Sequence, residues 1–124
     1  MAGIGGMLGE AFYKQFKGDY LLKCTDIDVN EDWLTYLDFR DEASYRKEVT
    51  DFDPEYLFHI GAVTDLEYCE INEGETYSTN TEAVKHAVRI ANDLNLKLFY
   101  VSTAGIFNGE KSEYDETDKP EPLG

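Results

Sequence analysis

Three glycines stand at Gly3, Gly6 and Gly9, a G-x-x-G-x-x-G spacing directly ahead of a helical pattern. A dinucleotide pyrophosphate calls for such an arrangement for three reasons. One glycine makes the tight turn, one lets the backbone approach the phosphates, and one lets the next helix pack closely. Free N–H groups and the helix dipole there favour phosphate charge. A glycine triplet alone fits an ordinary helix start equally well. Asp26 lies 26 − 3 = 23 positions beyond Gly3, close to the offset of about 20 at which an acid meets a ribose hydroxyl. In a chain with 26 Asp and Glu, a solvated loop acid is the competing reading, with Asp28 two residues on. The order of loop, helix, strand and acid favours dinucleotide binding.

Those residues need elements to hold them. Leu8, Phe12 and Phe16 recur every four residues, one face of a helix that Gly18 stops. Tyr20–Thr25 is a short apolar run ending at Asp26 and predicts a buried strand. Leu34–Leu37 predicts another, ending at Asp38. Asp41 can cap a helix through Thr50, with Tyr45 and Val49 inward. Tyr56–Ile60 predicts a strand leading into Gly61 and Ala62. Ser78, Thr79 and Asn80 are each good N-caps for a long helix whose Val84, Ala87, Val88 and Ala91 share a face. Asn80 reads as a cap rather than a ligand contact. Leu96–Val101 predicts a strand that opens into Ser102 and Thr103, and from Asn108 onward the chain reads as an acidic loop. Strands alternating with helices require a parallel sheet covered on both faces. A doubly wound sheet begins with a strand before its glycine loop, and only Met1 and Ala2 precede Gly3 here.

Composition narrows the partners. Of 124 residues, 42% are hydrophobic, enough for a packed core, and the net charge is −15. A nucleic-acid surface needs clustered Lys and Arg, and an anionic membrane repels this chain for the same reason, so both are excluded as principal partners. No apolar run approaches the roughly 20 residues of a membrane span. Cys24 and Cys69 are isolated and read as reduced thiols of a cytoplasmic protein. His59 and His86 lack metal-ligand spacing, so no metal is expected.

Five blocks in order carry a family resemblance: Gly3-Ile4-Gly5-Gly6-Met7-Leu8-Gly9, Asp38-Phe39-Arg40-Asp41, His59-Ile60-Gly61-Ala62, Asn80 opening the long helix, and Ser102-Thr103. Together they resemble the extended short-chain dehydrogenase/reductases of the NAD-dependent epimerase/dehydratase group, over nearly the whole chain. Gly6-Met7-Leu8-Gly9 and Phe107-Asn108-Gly109 resemble the nucleotide-sugar reductases of that group more than its epimerases.

The resemblance implies an α/β, Rossmann-like doubly wound parallel sheet lacking the first strand and the C-terminal part. Residues 1–124 would form a partial NAD(P)-binding domain, with the substrate domain absent. It implies that Gly3, Gly6, Met7, Leu8 and Gly9 cradle the pyrophosphate and that Asp26 binds the adenosine ribose. Asp38 and Phe39 would flank the adenine, and Ile60, Gly61 and Ala62 would line the path to the nicotinamide ribose. Thr103 falls where the family keeps a catalytic hydroxyl that hydrogen-bonds the reacting sugar oxygen. The residues alone would read Thr103 as a strand-end turn. NAD(H) is favoured over NADP(H), because Asp26 and Asp28 would meet a 2′-phosphate and no Arg adjoins them. The implied partners are a nucleotide-sugar substrate and a second copy in a homodimer. Ala104 and Gly105 replace an acidic pair, which counts against dehydration, and Ala104 also weakens the reductase assignment. The family's Tyr-x-x-x-Lys is missing, since Asp118 stands four residues after Tyr114. The expectation is therefore an N-terminal part of a reductase, inactive alone, with an epimerase and a non-catalytic cofactor-binding regulatory subunit as alternatives.

Overall fold

A computed structural model describes residues 1–123. The chain runs α1 (Met7–Phe16), β1 (Thr25–Asp26), β2 (Thr35–Tyr36), α2 (Glu42–Phe52), β3 (Tyr56–His59), α3 (Leu66–Ile71), α4 (Glu73–Tyr77), a π-helical segment (Ser78–Glu82), α5 (Ala83–Asp93), β4 (Lys97–Tyr100) and a 3-10 turn (Ala104–Ile106). β1 pairs with β2 and β3 with β4, all parallel. Ala2 joins the two pairs through single parallel bridges to Thr25 and His59. The spatial order is β2, β1, Ala2, β3, β4, with Ala2 at the position of the central strand of a doubly wound sheet.

The pleat sends alternate residues to opposite faces. Phe58 faces α1, where Phe12 and Phe16 meet its ring edge-on at 5.8 and 6.0 Å. Leu57 faces the other way, into a core of Ala2, Leu37, Tyr45, Val49, Ala87 and Ile90 beneath α2 and α5. Helices thus cover both faces, as the alternation of elements requires. α2 begins as expected: Asp41 accepts from the N–H groups of Ala43 and Ser44, and Tyr45 and Val49 are buried. Among the described residues no helix is long and apolar enough to cross a membrane.

Three local expectations are corrected. The Tyr20–Thr25 strand contracts to Thr25–Asp26. A strand needs a neighbour, and the residue bridging to this segment on the inner side is Ala2, opposite Thr25; Leu21, 87% exposed, has no apolar cover. Ser78, Thr79 and Asn80 cap nothing, because helical backbone already runs through Glu73–Tyr77 and continues as a π segment across them. The inner face of α5 is Ala83, Ala87, Ile90 and Ala91, whereas Val84 is half-buried and Val88 is 42% exposed. Small side chains face the sheet there because the fully buried Tyr45 occupies the same cluster.

Candidate functional site

Parallel strands place all their C-terminal ends on one edge, where ligands of such sheets bind. Gly3–Gly9 leaves Ala2 there, Asp26 ends β1, Asp38 and Phe39 follow β2, Ile60–Ala62 follow β3, and Thr103 follows β4. The topology therefore brings every expected site residue to one rim.

Two of the three glycines are required by packing, each for its own reason. Gly3 has φ +71, a left-handed conformation, and a Cβ there would stand 2.3 Å from the Gly61 Cα. A Cβ on Gly61 would in turn meet the Gly3 Cα at 2.7 Å and the Phe39 ring at 2.6 Å. The two backbones touch, sealed by the Ala2 carbonyl, which accepts from Ile60 N–H at 3.0 Å and Gly61 N–H at 3.3 Å. Gly9 lets α1 lie on the loop, since a Cβ would sit 2.1 Å from the Ile4 carbonyl oxygen. Gly6 is different. It is the N-cap of α1 with φ −89, and nothing lies within 4 Å of where its Cβ would be. Packing does not call for glycine there, and the space beside it is open. No side chain caps this helix, so its first N–H groups stay free, and Met7 and Leu8 project into solvent.

Asp26 is built into the loop. Its Oδ2 accepts from Gly5 N–H at 2.8 Å and its Oδ1 from Asp28 N–H at 3.0 Å. Each oxygen keeps one lone pair, which suits the two hydroxyls of a ribose. Asp38 is held differently, by the Arg40 side chain, whose Nε and Nη2 donate at 2.9 and 2.7 Å. These hydrogen bonds hold the Asp38 carboxyl below its ordinary range. The Phe39 ring is buried, 4.7 Å from the His59 ring, behind the Gly3–Gly61 contact. Thr103 is exposed and caps the 3-10 turn, its Oγ1 accepting from Gly105 N–H at 3.1 Å. That contact uses the oxygen as acceptor and leaves the hydroxyl proton free to donate.

Two features escaped the sequence reading. The Asn80 side chain reaches across to Val63, accepting from its N–H at 2.9 Å and donating to its carbonyl at 2.8 Å. It thereby fixes the chain just after Ala62. The signal was Ser78-Thr79-Asn80-Thr81, four poor helix formers inside helical spacing. Beneath the rim, His59 is fully buried and its Nδ1 lies 3.1 Å from the Tyr45 hydroxyl. Burial lowers the His59 pKa to about 4 and raises that of Tyr45, so a neutral phenol faces a neutral imidazole.

The cradle fits a dinucleotide: an open Gly6, free helix N–H groups, and an acid with spare lone pairs on the neighbouring strand. The family model for the RmlD substrate binding domain matches residues 1–124. A dTDP-4-dehydrorhamnose reductase of Aggregatibacter actinomycetemcomitans is 27% identical over 124 residues, covering 99% of this chain and 40% of that protein. A methionine adenosyltransferase 2 subunit beta of Xenopus laevis is 28% identical over 125 residues, 99% of this chain and 37% of that one. The structure of a hypothetical dTDP-4-dehydrorhamnose reductase from Sulfolobus tokodaii superposes with a TM-score of 0.89 at 27% identity, over 98% of this chain and 45% of its own. A Bacillus anthracis str. Ames dTDP-4-dehydrorhamnose reductase, solved in complex with NADP, shares the fold with a TM-score of 0.82 at 21% identity, over 98% and 42% of the two chains. The chain spans 37–40% of the length of these curated relatives. With the glycine cradle, the strand-end acid and the sheet order all in place, the chain belongs to the family of the RmlD substrate binding domain, and its fold is the Rossmann-like one of the reductases it resembles.

Proposed function

We propose that residues 1–124 are the dinucleotide-binding part of a cytoplasmic, NAD(P)-dependent nucleotide-sugar reductase similar to dTDP-4-dehydrorhamnose reductase, and that this part prefers NAD(H). The observation that carries the proposal is Gly6 at the uncapped start of α1 beside Asp26, whose carboxylate keeps a free lone pair on each oxygen. Gly3 and Gly61 set the floor, Gly6 admits the pyrophosphate, and Asp26 accepts from the ribose hydroxyls. Ile60, Gly61 and Ala62 lead toward the nicotinamide half. When bound, the nicotinamide would supply the hydride exchanged with a sugar carbon. Thr103 donates its hydroxyl proton toward the sugar oxygen, where charge develops.

A second reading is a cofactor-binding regulatory subunit without turnover. Its support is the 28% identity to a protein named as a subunit of methionine adenosyltransferase. Both readings require dinucleotide binding, so the test addresses that first. Saturation-transfer NMR on the chain with NADH and with NADPH should show adenine protons receiving saturation, more from NADH. Asp26→Asn should remove that preference. Equal or stronger transfer to NADPH overturns the NAD(H) preference, and transfer to neither overturns the dinucleotide reading.

A further inference from the structure

The segment that follows the 3-10 turn holds a residue pair with chemistry of its own. Of the asparagines in the chain, Asn108 alone is followed by glycine; the others precede Glu31, Glu73, Thr81, Asp93 and Leu96. An asparagine side chain can react with the backbone nitrogen of the next residue, because closing a five-membered ring within one chain needs no encounter. A side chain on that next residue crowds the approach, and glycine has none. This chemistry makes asparagine a thermolabile residue.

The structure prepares both reacting groups. Among the described residues the Gly109 N–H has no hydrogen-bond partner, and nothing lies within 4 Å of where a Gly109 Cβ would be. The nucleophilic nitrogen is uncommitted. Across from it, Asn108 Oδ1 accepts from the Glu110 N–H at 3.1 Å and from the Tyr114 hydroxyl at 2.8 Å. Two donors on one carbonyl oxygen are what a tetrahedral oxyanion requires. Tyr114 is itself held, its ring stacked on Phe107 at 4.3 Å and its oxygen accepting from the Lys111 N–H at 3.1 Å. A phenol that accepts one hydrogen bond donates the next more strongly. The amide nitrogen that must leave is bound more loosely, donating to Glu121 Oε2 at 3.3 Å. Asn80 makes the contrast: its amide is fixed on the Val63 backbone, within helical structure, and a β-branched Thr81 follows it.

We propose that Asn108-Gly109 is a self-modifying site, at which the fold converts Asn108 to an acid. The Gly109 nitrogen attacks Asn108 Cγ, and the oxyanion forms on Oδ1 between Tyr114 and Glu110. The C–N bond of the side-chain amide then breaks, and ammonia leaves with the proton that Gly109 gave up. Water opens the resulting succinimide, supplying the oxygen of the new carboxyl group and the proton that returns to the ring nitrogen. Opening at Cγ leaves aspartate, and opening at the main-chain carbon leaves isoaspartate. No oxidant, metal or further reactant enters.

The product acts on its surroundings. A carboxylate at position 108 loses the donor to Glu121 and faces that side chain's charge instead, and like charges at this range repel. The Glu121 N–H is bonded to the Ile106 carbonyl at 2.9 Å, so the repulsion loosens the following segment from the 3-10 turn that Thr103 caps. The modification thereby reaches the neighbourhood of the exposed Thr103 hydroxyl.

The test incubates the chain in ¹⁸O-labelled water near neutral pH and reads every asparagine by peptide mass spectrometry. It compares the folded wild type, the wild type held unfolded in guanidinium chloride, and Tyr114→Phe, which keeps the ring stack on Phe107 and removes only the hydroxyl. In the folded wild type Asn108 should gain one labelled oxygen while Asn80 gains none. Tyr114→Phe should slow the conversion about tenfold, less than the loss of a donor enclosed away from water. The unfolded chain, which has lost both donors, should also convert more slowly than the folded one. A Tyr114→Phe chain that converts at the wild-type rate, or an unfolded chain that converts faster than the folded one, overturns the claim that the fold promotes the reaction. An Asn108 that stays unlabelled overturns the site itself.

Discussion

Replacing the three glycines one at a time by alanine separates those that pack from the one that faces a ligand. At Gly9 the new methyl would stand 2.1 Å from the Ile4 carbonyl oxygen and 2.4 Å from its Cα. These are backbone atoms, which cannot swing aside, so the overpacking cost of ~1–3 kcal/mol falls toward its upper end. Alanine inside a helix returns ~1 kcal/mol, leaving a net loss of about 1–2 kcal/mol. With a urea slope of ~2 kcal/mol/M, the midpoint should drop by about 0.5–1 M. Gly3→Ala is worse, adding ~1–2 kcal/mol for the left-handed backbone to a clash with Gly61 at 2.3 Å. Gly6→Ala meets nothing within 4 Å and keeps an allowed φ of −89. Its stability should change by less than ~1 kcal/mol, the scale of a weakened N-cap. NADH affinity should nevertheless fall about tenfold, because the methyl occupies the approach of the pyrophosphate. The assays are urea melts followed by circular dichroism, and NADH titration of each folded variant. A Gly6→Ala chain that binds NADH like wild type, or a Gly9→Ala chain that melts like it, refutes the division of roles.

Other consequences follow from the geometry. His59, with its pKa lowered by burial to about 4 against about 6.5 in the unfolded chain, gives stability that is whole above pH ~6.5 and lost as pH falls toward 4. That loss is about 3 kcal/mol, ahead of carboxylate protonation, and a His59→Phe chain should show a flatter urea midpoint over the same window. In an active full-length reductase, Thr103→Ala should lower turnover by about 10²–10³ with cofactor Kd unchanged, and an unimpaired variant returns Thr103 to a turn residue. Asn80→Ala strips both partners from the Val63 backbone and should cost roughly 1–3 kcal/mol by urea melting, with Asn80→Asp in between because it keeps the acceptor.

Much of the rim was legible because it depends on local rules. Glycine spacing located the loop, Asp41 announced α2, and Tyr45 and Val49 gave its buried face. Asp26 was singled out by its offset and Thr103 by a family block, and the first ends β1 while the second follows β4 on the same sheet edge. What stayed hidden depends on partners far away in sequence. Tyr20–Cys24 looked like a strand by composition, but pairing is a property of neighbours, and its apolar residues gave no sign of that. Asn80 looked like a cap because the same amide that caps a helix also clamps a backbone 17 residues away. The Arg40–Glu75 contact joins residues 35 apart, and Asp38 read alone gave no hint that the Arg40 side chain would donate to its carboxylate. Within α5 a count in steps of three and four fits both Val84-Ala87-Val88-Ala91 and the observed Ala83-Ala87-Ile90-Ala91, and only the packing against α2 and the sheet selects the second.

The central claim is that a dinucleotide binds along the carboxyl rim of the sheet, from the Gly3–Gly9 loop past Asp26 toward Ile60–Ala62. Titrating NADH into the ¹⁵N-labelled chain and mapping amide shifts tests it most directly, because even weak binding moves those signals. The account predicts that the largest shifts fall on Gly5 through Gly9, on Asp26 to Asp28 and on Ile60 to Val63, and that Gly6→Ala suppresses them. Shifts confined to the opposite edge of the sheet, or none at saturating NADH, would contradict it.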